Sequence, residues 1–311
     1  FQWSYGKAET MTLLIPNFYG GSSNYALGED SETYKTVKNY AGTSQAKQIV
    51  KALPTYWGDQ PFTSGPVYAG AIICFLFVLG LLAVKGPERW WLLVAVIIGI
   101  LLSWGRNLPS LNNWLFDHLP LYNKFRTPSM SLVMTTTAMA MLGMLALRAL
   151  LKKEVELKHI YIATGITGGL CLLFALFPGM AGGFTSKMDA QLPEWLSECL
   201  LDDRRAMLTS DAWRSLCLIL LAAAGAFAYL KIEKMRSGIV IALIGVLILA
   251  DLWTVDKRFL NDDHFVPKKR NLVTMTEADK QILADKDPNY RVLNLTTSTF
   301  NDAQTSYFHK S

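Results

Sequence analysis

The chain has 311 residues, 51% of them hydrophobic and 18% charged, with a mean hydropathy of +0.23; this is more apolar than a soluble domain of that length and points to a multi-spanning membrane protein. A formal net charge of +5 without a Lys/Arg block interleaved with aromatics argues against a nucleic-acid surface. No Walker A, GxGxxG, HExxH or GxSxG pattern occurs, and the four cysteines and four histidines are scattered, so the sequence gives no support to a metal cluster or to those hydrolase and nucleotide chemistries.

In chain order, residues 1–64 form a polar segment rich in Gly, Asn and Tyr, with one helix-like piece at 44–53. Six apolar stretches then approach the roughly twenty residues of a helical span. They lie near 65–84, 90–104, 129–150, 159–177, 212–230 and 238–255, the second being short. The expected fold is an all-α polytopic membrane protein with about six transmembrane helices over 65–255. Residues 256–311 form an external C-terminal segment, in which the strand-like "YRVLNLTTS" announces the start of a domain containing β-strands. Between the fourth and fifth stretches, "LPEWLSECLLDDRRAML" puts Trp195, Leu196, Cys199 and Leu200 on one side and Glu194, Glu198, Asp202 and Arg205 on the other, the pattern of a helix lying in the membrane interface. The start at Phe1 and the close on "SYFHKS" in mid-pattern lead to the expectation of a longer parent chain.

Positive charge marks the cytoplasmic loops. Lys85 and Arg89, then Arg148, Lys152, Lys153 and Lys158, then Lys231, Lys234 and Arg236 fall in three short connections. By alternation 1–64, 105–128, 178–211 and the segment from 256 lie outside. That makes Arg106, Lys124 and Arg126 anomalous, because they crowd an external loop at the mouth of the third span. Such cations at a helix N-terminus suit an anion, with Arg supplying paired donors and the helix end its free N–H groups. Thr127 and Ser129 are candidate caps there; snorkelling to headgroups or pairing with Asp117 is the plainer alternative.

Two acids are the candidate catalytic residues. Asp251 in "LILADLWTV" lies well inside an apolar run, where it either joins an ion pair, with Arg258 two turns on or with an Arg of another helix, or serves acid/base chemistry. Asp59 in "YWGDQPFTSGP" would present a carboxylate to a sugar or a metal at the membrane surface, or simply mark a turn beside interfacial Trp57. The Thr, Ala, Gly and Met content of the third span allows close helix packing or contact with an acyl or isoprenoid chain.

"WSYGKAETMTLLIPNFYGG", "YWGDQPFTSGPVYAGA", "PLYNKFRTPSM" and "ADLWTVDKRFLNDDHF" together resemble the YfhO-like bacterial membrane proteins over nearly the whole chain. That family is similar to the GT-C class of glycosyltransferases, which move a sugar from a polyprenyl-phosphate donor to an acceptor outside the cytoplasmic membrane. The resemblance implies a place in the bacterial inner membrane, with membrane lipid, a lipid-linked sugar and a cell-envelope polymer or glycolipid acceptor as partners. It implies that Arg106, Lys124 and Arg126 hold the donor phosphate, and it leaves a divalent metal cofactor open. The class usually carries its catalytic acid in a first external loop near the N-terminus, so the resemblance implies that this acid belongs to a preceding part of the parent chain and that the present stretch is inactive alone, with Asp59 and Asp251 as the weaker candidates within it. Two other classes compete: a transporter or flippase for a lipid-linked or envelope precursor, which predicts inverted repeats and several ionisable groups near the midplane, and a non-enzymatic membrane scaffold.

Overall fold

A backbone that cannot reach water bonds to itself, and the computed structural model is 66% helical, with no strand among the described residues. It describes residues 1–124, 126–265, 273–298 and 303–310. The chain divides into two units, Phe1–Phe259 and Leu260–Ser311. In the first, α1 (Glu32–Ala41) and α2 (Thr43–Ala52) precede α3 (Ala71–Ala83), α4 (Glu88–Ser103), α5 (Pro109–His118), α6 (Leu132–Leu151), α7 (Leu157–Leu176), α8 (Glu194–Lys231) and α9 (Ser237–Phe259).

Among the described residues four helices, α6 to α9, are long and apolar enough to cross a membrane, fewer than the six expected. The first two stretches form shorter helices, α3 of 13 residues and α4 of 16, about 20 and 24 Å against a hydrocarbon layer of roughly 30 Å. Gly70 explains the first. Its φ of 105° is not helical, so 65–70 runs as irregular chain and Ala69 N–H donates to Leu13 O at 3.2 Å. Pro87 and Gly105, the latter at φ 44°, bracket the second.

Being apolar on every side, α3 is buried on every side: ten of its residues are buried, against α6, α7, α8 and α9. Glycine sets the closest approaches. A Cβ on Gly80 would lie 2.8 Å from Leu142 O, and one on Gly99 3.1 Å from Ser131 O. Across the second crossing Ser131 Oγ donates to Gly99 O (2.8 Å) and Thr135 Oγ1 to Val96 O (3.3 Å). The small residues of the third stretch therefore serve helix packing. Its Met134, Met141 and Met144 face outward with Val133, as do Val246 and Leu249 of α9, 64% and 63% exposed. An apolar exterior over a packed interior is the signature of a bundle whose solvent is lipid.

Helices α3, α6 and α8 run one way and α4, α7 and α9 return. One end, the loop end, gathers 1–70, 105–124, 126–131 and 178–211: Tyr5 N–H donates to Ser103 O (2.8 Å), Ser129 N–H to Trp3 O (3.3 Å), and the Phe18 and Phe174 rings meet edge to face. The other, the turn end, holds the short connections after α3, α6 and α8, where Tyr229 Oη donates to Leu151 O at 3.0 Å. The expected interface helix and fifth span prove to be one helix: α8 has 38 residues, about 57 Å, nearly twice the bilayer core. Its N-terminal half stands beyond the apolar layer, where Asp203 accepts the N–H groups of Glu32 (2.8 Å) and Thr33 (2.9 Å) and so caps α1.

In the second unit α10 (Glu277–Leu283) and α11 (Thr305–Phe308) are short. Thr276 and Asp279 cap α10 reciprocally, and His309 Nε2 lies 2.9 Å from Asp279 Oδ1. The Thr276 hydroxyl and N–H, then His309, hold the Asp279 carboxyl down to about 2. The expected strand in "YRVLNLTTS" is irregular chain, with Val292 N–H donating to Lys310 O at 2.9 Å.

Candidate functional site

At the loop end, the 3-10 turn Gly105–Asn107 follows α4 directly and carries Arg106 to the segment 54–61. Its N–H donates to Ser4 Oγ (2.9 Å) and its Nη2 to Asp59 O (2.5 Å). Asn107 Nδ2 bridges Tyr5 O (2.8 Å) and Asp59 Oδ2 (3.1 Å). Two sequence candidates, Asp59 and Arg106, thus share the wall of a cavity of about 410 Å³, with Tyr56, Trp57, Gln60 and Lys187. Both keep their side chains open to solvent. Trp57, stacked on Tyr19 at 4.0 Å, is buried, and its Nε1 has no hydrogen-bond partner among the described residues.

A fully buried guanidinium holds the far wall. Arg204 of α8 is 0% exposed, and each of its five N–H donors is used: Nε on Thr55 O, Nη1 on Phe184 O and Asp189 Oδ2, Nη2 on Pro54 O and Asp189 Oδ1, at 2.6 to 3.0 Å. A charge survives inside a protein only when paired and saturated in this way. The arrangement clamps the 54–55 and 184–189 segments together, and Lys187 lies within the second.

Behind the cavity sits Glu9, 2% exposed, which the sequence did not single out. It accepts from Gly6 N–H (2.9 Å), Tyr56 Oη (2.7 Å) and Gln60 Nε2 (3.2 Å). Burial pushes its carboxyl above the ordinary value and the negative charge of Asp59 adds to this, while the hydrogen bonds oppose it. Burial, then the Glu9 charge, also raises the Tyr56 phenol. Tyr19 is pushed up to about 12 by burial, with smaller contributions from Glu9 and Asp59. The cavity therefore has one solvent-open acid, Asp59, in front of a buried one, Glu9, whose carboxyl burial pushes upward. Nearby are two cations and an indole face.

The other candidates lie elsewhere. Lys124 and Arg126 are exposed and do not line this cavity, and Phe125 is outside the described residues. Neither Thr127 nor Ser129 caps a helix: the turn Pro128–Ser131 has no side-chain cap, and α6 starts at Leu132. Asp251, 1% exposed, is committed to three donors, Ala71 N–H (2.8 Å), Tyr68 Oη (2.7 Å) and Arg214 (3.0 Å). It caps α3 and ties α8 to α9. Arg258 is not its partner and pairs with both oxygens of Asp211, at 2.7 and 2.8 Å. No group of three or more His, Cys, Asp or Glu side chains converges as a metal site among the described residues. Comparison of the chain with protein-family models, curated proteins and solved structures returns no match.

Proposed function

We propose that this chain is part of a membrane glycosyltransferase that moves a sugar from a polyprenyl-phosphate donor to a cell-envelope acceptor at the outer face of the bacterial cytoplasmic membrane. The observation that carries the reading is the fixed pair Asp59 and Arg106 in one cavity at the loop end. Arg106 and Lys187 hold the donor phosphate, and Trp57, with its unpartnered Nε1, receives the sugar. Asp59 takes the proton of the acceptor hydroxyl as its oxygen bonds to the anomeric carbon. The bond from that carbon to the phosphate oxygen breaks, and its electron pair leaves on polyprenyl phosphate, stabilised by the two cations. Lys124 and Arg126, exposed at the same end, draw the anionic donor to the surface.

The test uses membranes containing the protein, a labelled polyprenyl-phosphate sugar and a panel of donor sugars. Asp59→Asn and Arg106→Ala should each lower transfer at least 100-fold at unchanged protein level, whereas Lys124→Ala should slow it only several-fold. Full transfer by Asp59→Asn would remove the carboxylate from the chemistry and the proposal with it.

A further inference from the structure

At the turn end, away from the cavity just described, a second cavity of about 250 Å³ opens between the close of α3 and the close of α6. Three cations line it. Lys85 follows α3, Arg148 stands in the last turn of α6, and Lys152, four residues on, closes that helix in helical conformation, a spacing that puts both on one face. Two acids, Glu88 and Glu154, share the lining, yet none of the three cations forms an ion pair among the described residues. Nearby Lys158 does pair, with Glu156 at 2.8 Å. The carbonyl ends of α3 and α6 account for cations near helix C-termini, but not for three of them meeting unpaired around one hollow.

The surroundings identify what the cations face. Val84 and Leu145 give the cavity apolar walls. On the neighbouring surface Trp90 and Trp91 are 57% and 52% exposed and Met144 60%, the aromatic and apolar belt of a helix meeting the headgroup layer. An anion with an apolar continuation satisfies both features. We infer that this cavity binds the phosphate headgroup of an anionic membrane phospholipid, its acyl chains lying along α4 and α6. The inference is independent of the transferase reading.

The protein would be reconstituted in phosphatidylcholine nanodiscs containing a minor fraction of phosphatidylglycerol, and the lipid it retains measured by native mass spectrometry. Combined Lys85→Gln, Arg148→Gln and Lys152→Gln should lower phosphatidylglycerol retention about tenfold. Combined Lys231→Gln, Lys234→Gln and Arg236→Gln, cations of the α8–α9 turn at the same end, should leave it within twofold. Should the first variant not fold, Glu88→Gln with Glu154→Gln must raise the retention. Equal losses in both cation variants, or no response to either set, would overturn the site in favour of diffuse attraction. In phosphatidylcholine alone, inorganic phosphate that binds wild type but not the first variant, with no preference for phosphatidylglycerol in the mixed discs, would overturn the lipid and leave a soluble anion.

Discussion

At the residue scale the site turns on two acids in different surroundings, Asp59 exposed and Glu9 buried. Asp59 was legible because an acid beside Trp57 in a Gly/Pro-rich stretch stands out, and Arg106 because a cation in an external loop runs against the charge bias. Their contact was not legible, since 47 residues separate them. Glu9 left no local signal: an acid in a short helical turn reads as solvated, and its burial comes from Tyr56 and Gln60, far along the chain. Its raised carboxyl has a measurable consequence. The folded state holds that proton more tightly than the unfolded chain, whose ordinary value is 4.5. The stabilisation is therefore complete below that value and lost as pH rises through the higher folded one. Thermal unfolding in detergent from pH 4.5 to neutrality should show wild type losing stability relative to Glu9→Gln, whose side chain does not titrate. A difference independent of pH would mean that Glu9 carries no excess proton in the fold.

At the scale of elements, the six apolar runs all became helices, but hydropathy locates the lipid, not the helix ends. Asp202 and Arg205 read as the polar side of a separate helix lying in the membrane interface. In α8 the helix continues through them, because Asp203 and Arg204 are buried against protein and saturated there. Conversely the stretch 65–84 reads as uniform, while the conformation of Gly70 delays helix until Ala71. "YRVLNLTTS" has strand composition but no partner strand among the described residues, and propensity alone does not make a sheet. The α3–α6 crossing is testable. Gly80→Ala pushes a Cβ to 2.8 Å from Leu142 O, a backbone atom that cannot swing away, and overpacking of this kind costs about 1–3 kcal/mol. Gly169 of α7 has nothing within 4 Å of its would-be Cβ, so Gly169→Ala should be neutral or stabilising through helix propensity. Melting temperatures in detergent compare the two, and an equal response at both positions would remove close packing as the reason for Gly80.

For the whole molecule, the alternating directions of the helices bring Lys85, Arg148, Lys152, Lys231 and Lys234 to one end and the cavity of Asp59 to the other. Short loops rich in Lys and Arg are retained in the cytoplasm, and the proposed function rests on the orientation this bias predicts, with Asp59 outside. Among the described residues only α6 to α9 are long and apolar enough to cross a membrane; α3 is buried among its neighbours, whereas α4 keeps Val94, Ile97 and Ile98 exposed. The orientation is decided by labelling single cysteines in intact cells with a membrane-impermeant maleimide, after Cys199→Ser and Cys217→Ser remove the two native thiols that are not buried. Lys187→Cys, at the cavity, should label at once, and Lys153→Cys, at the turn end, only after permeabilisation. The reverse pattern would put the Asp59 and Arg106 cavity on the cytoplasmic side, out of reach of an envelope acceptor. External transfer would then fall, even though every contact that builds the cavity would stand.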